Sequence, residues 1–266
     1  MAISEIVSKF KSPKKENSGR WSLSLLVFVA ICFFLSFSTL GFGEDLSKAS
    51  GDRLLQIVTG GLLYDKWFAG FDKEDIPSTT HPAYPKTGKE KGNATWRCKE
   101  CHGWDYKGKN GHYKKGSHFT GIAGLLNMAG VPENKIVPIL KDKTHQFGSK
   151  ISDENLEALA SFVSAGQIEM TQYIDWQTYK AKGDADDGKR VYLTMCAKCH
   201  GVDGKKINFG GPEKPTFIGT VATGNPWESL HKIRMGQPAK GMSSMLAFPV
   251  QTQIDVLTYS QQLPKK

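Results

Sequence analysis

Cysteine is scarce in this 266-residue chain. There are five, too few for a disulfide scaffold; four fall in two short clusters and Cys32 sits alone in an apolar run. Long hydrophobic runs are scarcer still. The single one, Leu23 to Phe42, argues against a polytopic membrane protein. With 39% apolar and 23% charged residues, the chain is not disordered either, and it suits one or two globular domains. No aromatic-interleaved basic motif accompanies the net charge of +9, so nucleic acid is not expected as a partner.

The charge is uneven. Residues 1–43 carry five bases (Lys9, Lys11, Lys14, Lys15, Arg20) against two acids (Glu5, Glu16), and all five bases precede the apolar run. An excess of Lys and Arg on that side keeps the N-terminus in the cytoplasm and exports the remainder of the chain. Twenty residues at about 1.5 Å each are long enough to span the hydrocarbon of a bilayer. Gly41 and Gly43 also leave room for a cleavage site. A membrane anchor over residues 23–42 is the expectation, with a removed signal peptide as the alternative. Either places the globular part on the periplasmic side of a bacterial membrane.

Each cysteine cluster is followed by histidine. Cys98, Cys101 and His102 form one CxxCH; Cys196, Cys199 and His200 form another. Two cysteines three apart can form thioethers to the vinyl groups of one porphyrin, and the adjacent histidine then reaches the iron. Zinc is the competing chemistry, but 94 residues separate Cys101 from Cys196, and zinc gives no reason for a histidine after each pair. Two covalently bound haem c groups, with iron, are therefore expected.

The repeat extends beyond the pentapeptides. His145 lies forty-three residues after His102 and Met242 forty-two after His200; seventeen residues beyond each lie Phe162 and Tyr259. Ser152 to Val163 predicts a one-faced helix opened by Ser152, and Val250 to Leu263 its counterpart. Val131-Pro132 and Asn225-Pro226 predict short helices ahead of the two candidate ligands. Asp52 to Phe68 and Asp187 to Cys199 predict the helices that lead towards the clusters. A Pro- and Gly-rich insertion, Asp72 to Thr95, separates the first of these from its cluster. Residues 44–166 and 187–266 thus read as two modules joined by a linker, 167–186, after an N-terminal segment 1–43.

With these motifs in place, the chain resembles class I cytochrome c over roughly residues 50 to 264, in tandem, as a dihaem c-type cytochrome. The resemblance implies an all-α fold of two haem domains. The segment from His231 to Met242 is similar to the stretch before that family's methionine ligand, although Ser243 stands where the family has proline. Met245 and Met235 therefore remain rivals to Met242 as the sixth ligand in module two. In module one the matching position is His145, with Met128, His118 and His112 as rivals. His81, Met170 and His231 read as loop or packing residues. The family pattern also offers the carbonyl of Pro212 or Pro215 to hold His200; module one has no equivalent proline.

A thioether favours ferrous iron relative to imidazole, so a His200/Met242 iron should have the higher potential and a His102/His145 iron the lower. The reading is a carrier of single electrons between a dehydrogenase or quinol-linked donor and a terminal acceptor, with redox proteins as partners, no small-molecule substrate and no catalysis of its own. The alternative is a dihaem oxidoreductase, similar to thiosulfate dehydrogenase or to a peroxidase, with one open or weakly ligated haem. No cysteine beyond the attachment pairs, Cys32 apart, is left to serve as a thiolate ligand.

Overall fold

The computed structural model describes residues 46–70 and 76–266; the apolar segment 23–42 lies outside them. Among the described residues no helix is long and apolar enough to cross a membrane. They form helices and loops with isolated bridges and no named strand.

Polar caps start several helices, at Ser152 where the sequence expects one. Ser50 accepts the Arg53 amide at the start of α1 (Gly51–Lys66). Cys98–His102 is α2, and Glu133–Lys141, behind Pro132, is α3. Ser152 accepts the Asn155 amide to open α4 (Asp153–Ser161), which runs on into a π turn, Phe162–Gly166. Asp184 caps α5 (Ala185–Met195), two residues earlier than the sequence pattern suggests. A break at Cys196 separates α5 from α6 (Ala197–His200). Ile218–Gly224 is α7; Asn225 caps α8 (Pro226–Met235), with proline in the first turn where its missing N–H costs nothing; Val250–Ser260 is α9.

Two helix crossings repeat the same frame. In module one α1 crosses α4 at Gly60, where a Cβ would lie 1.9 Å from the Ala158 carbonyl oxygen. In module two α5 crosses α9 at Gly188, where a Cβ would lie 1.9 Å from the Asp255 carbonyl oxygen. Four residues after each glycine a tyrosine donates its hydroxyl to the glycine that follows CxxCH: Tyr64 to the Gly103 carbonyl at 2.6 Å and Tyr192 to the Gly201 carbonyl at 2.9 Å. Both receiving glycines have positive φ, +79° and +83°, which only glycine adopts at little cost. Each tyrosine ring also rests on the aromatic foreseen from the spacing, Phe162 at 5.1 Å and Tyr259 at 5.3 Å.

One apolar core runs through both modules, from Tyr64, Trp104 and Phe162 to Trp227, Leu230, Met235 and Met245. Polar fasteners cross the same boundary. His231, fully buried on α8, donates from Nε2 to the Gly61 carbonyl at 3.0 Å and accepts the Tyr106 hydroxyl at Nδ1 at 2.8 Å. Lys232 reaches Asp65 at 2.8 Å, and Arg234 donates to the Gly166 carbonyl at 3.1 Å. Burial alone would push the Asp65 carboxyl up, but Lys232 and then Arg97 outweigh it and hold it low. The connecting stretch 167–186 begins packed rather than slack, since Ile168, Met170 and Ile174 are buried.

Candidate functional site

In module one the candidate residues converge on a single cavity of about 320 Å³. Cys98, Cys101, His102 and His145 all line it, and most of the remaining wall is apolar, including Leu125, Ile136, Leu140, Phe147 and Leu159. The short helix α2 turns the two cysteines and His102 towards this space. His145 arrives from the opposite side on the loop that follows α3.

The two imidazoles face one another across the cavity, 6.4 Å between centres and 19° from parallel. That spacing leaves room between the two rings for a metal ion that both would hold. Their Nδ1 atoms are occupied elsewhere. His102 Nδ1 donates to the Ala123 carbonyl at 2.8 Å, and His145 Nδ1 meets Asp142 Oδ1 at 3.2 Å. That leaves Nε2 of each ring as the nitrogen that could meet a metal. Burial, and then the neighbouring His145, outweighs the Ala123 bond and brings His102 down to about 4, so the ring is neutral, the form that can bind a metal. The residues present therefore fit a porphyrin iron held between His102 and His145.

The cysteines fit thioether attachment better than zinc. As thiols, Cys98 and Cys101 are pushed up to about 12, by burial first and then by Cys101 and Glu100 respectively. Cys196 is pushed up to about 11 by burial and then Cys199. Zinc binds thiolates, and this apolar setting disfavours them.

Two of the three rival ligands of module one have other occupations. His118 pairs with Glu100 at 3.2 Å and stacks on Tyr113; His112 stacks on Trp227 at 4.2 Å. Met128 alone among the three lines the cavity. His81, read from sequence as a loop or packing residue, packs on Trp96 and also donates from Nε2 to the His145 carbonyl at 3.0 Å. The Ala83 amide occupies its Nδ1.

Module two repeats the attachment geometry and differs in its surroundings. α5 and α6 present Cys196, Cys199 and His200. Met242 is half-buried on the loop after α8, whereas Met245 and Met235 are packed into the core, 4% and 1% exposed. The carbonyls of Pro212 and Pro215 do not hold His200, contrary to the family pattern. Both prolines are exposed on a loop closed on itself by the Gly211–Lys214 bridge, and His200 Nδ1 is buried without a hydrogen-bond partner.

Residues 183–256, from the cap of α5 into α9, match the family model described as cytochrome C oxidase, cbb3-type, subunit III. No curated protein and no solved structure matches the chain. The family match supports a c-type cytochrome with covalently bound haem c and a role in electron transfer, shown for the one cytochrome c domain of module two.

Proposed function

We propose that the chain is a dihaem electron carrier, with one haem c attached through Cys98 and Cys101 and ligated by His102 and His145, and a second attached through Cys196 and Cys199 and ligated by His200 and Met242. The observation that carries this reading is the facing pair His102 and His145 over a cavity that the first cysteine pair also lines. The repeated glycine and tyrosine frame extends it to module two, where the family model matches.

When bound, haem c supplies each module with a one-electron ferric/ferrous couple. The polypeptide does the rest. The cysteines tether, Ala123 and Asp142 hold the ring orientations, and the apolar wall of the cavity keeps water from the iron. As a ligand, the Met242 thioether would favour the ferrous state more than the His145 imidazole, so module one would be the donor and module two the acceptor. A donor linked to a dehydrogenase or to quinol and a terminal acceptor protein would complete the path, on the periplasmic side of a membrane that residues 23–42 would anchor. Were His145 and Met242 both to hold iron opposite His102 and His200, neither module would offer a substrate an open position.

The test is the intact mass of protein matured in a host that ligates haem. A gain of two haem masses that survives denaturation supports the proposal; a gain of one, or colourless protein, refutes it. Carbon monoxide added to the reduced protein separates carrier from enzyme: no rapid binding is expected, and stoichiometric binding would favour a dihaem oxidoreductase.

A further inference from the structure

The loop that brings His145 to the cavity is organised by one carboxylate. Asp142 ends α3 in extended backbone, and its Oδ1 accepts the Thr144 amide at 2.8 Å, the His145 amide at 2.8 Å and His145 Nδ1 at 3.2 Å. The Gln146 amide returns to the Asp142 carbonyl at 2.9 Å, with Gln146 at φ +59°. Asp142 is a partly exposed carboxylate, an anion at neutral pH as aspartate ordinarily is. Across the cavity, His102 rests on a neutral carbonyl. The two imidazoles are thus unequally supported.

We propose that Asp142 is the positioning residue of the module-one iron, setting the ring orientation of His145 and, by lending it anionic character, lowering the potential of that iron. This rests on His145 being the ligand. A carboxylate behind a ligating histidine raises its basicity, and a more basic ligand favours the ferric state. Water tempers the effect, because the Asp142 side chain is 41% exposed.

The test is a redox titration of the holoprotein followed by paramagnetic resonance, on Asp142→Asn, Asp142→Glu and His145→Ala. Asparagine keeps an accepting oxygen for the loop amides and loses the charge. The expected result is a rise in the lower midpoint, about threefold in the ferrous-to-ferric ratio at fixed potential, with a wider g spread for that signal and no change at the other haem. Asp142→Glu, which keeps the charge, should move the midpoint less. If Asp142→Asn leaves midpoint and g spread unchanged while His145→Ala turns that haem high-spin, the ligand stands and the role of Asp142 is refuted. If His145→Ala leaves both signals low-spin and unshifted, the ligand assignment fails and this inference fails with it.

Discussion

Modules one and two share a frame and differ in what surrounds it. Both cross their first and last helices at a glycine, both tie a tyrosine to the glycine after CxxCH, and both rest that tyrosine on a later aromatic. Around the two CxxCH histidines the likeness ends. His102 and His145 are each held at Nδ1, and the loop of His145 is fastened again by His81. His200 has no partner at Nδ1, and its candidate sixth ligand lies half-buried on a loop. If both modules carry haem as proposed, the frame would serve attachment alike in each, and the surroundings would set the difference in potential and exposure that a carrier needs.

Removing attachment has the largest expected effect. Cys98→Ala with Cys101→Ala, or Cys196→Ala with Cys199→Ala, should each remove one haem and halve the haem absorbance per chain. Loss of both haems from either double variant would show that the modules cannot mature separately, and the comparison would break.

Ligand changes come next. Met242→Ala should abolish the thioether–iron charge-transfer band and lower the higher midpoint. Met245→Ala should cost about 2–4 kcal/mol of stability, as for a large side chain removed from a core, and leave the band in place. The reverse pattern would move the ligand to Met245.

The shared frame can be tested directly. Gly60→Ala and Gly188→Ala each force a methyl against backbone, so both should destabilise by about 2–4 kcal/mol in denaturant unfolding. Gly61→Ala would press first on the buried Met235 side chain rather than on backbone, its Cγ at 2.5 Å, and should cost about 1–3 kcal/mol. Unequal losses at Gly60 and Gly188 would show that the two crossings do not carry equal load.

The smallest effect is on pH dependence. Burial holds His231 down to about 4, so the folded protein keeps it neutral while the unfolded chain protonates it below about pH 6.5. Its contribution is complete above about pH 6.5, is lost as pH falls towards about 4, and changes no further below that. His231→Gln should therefore flatten the fall in stability between about pH 6.5 and about pH 4.5, measured by denaturant midpoints. An unchanged slope would remove His231 from the account.

Much of this was legible in the sequence. The Ser152 cap, the prolines that open α3 and α8, and the aromatics at matched offsets are local signals, and local signals survive without tertiary context. The same offsets led to His145, which the structure places across the cavity from His102. The holder of His102 was not legible, because Ala123 contributes a backbone carbonyl that any residue could supply. His231 could be read as a packing residue, but its tie to Gly61, 170 positions away, depends on how α1 meets α8. The prolines of module two misled because the family pattern presumes a loop laid against the histidine, and here that loop turns outward into solvent.

The most direct test of the central claim is a potentiometric titration of the oxidised protein followed by paramagnetic resonance. Two low-spin ferric signals of equal intensity are expected, the methionine-ligated one vanishing first on reduction and the bis-imidazole one at lower potential. A single signal, or a high-spin one, would contradict the account.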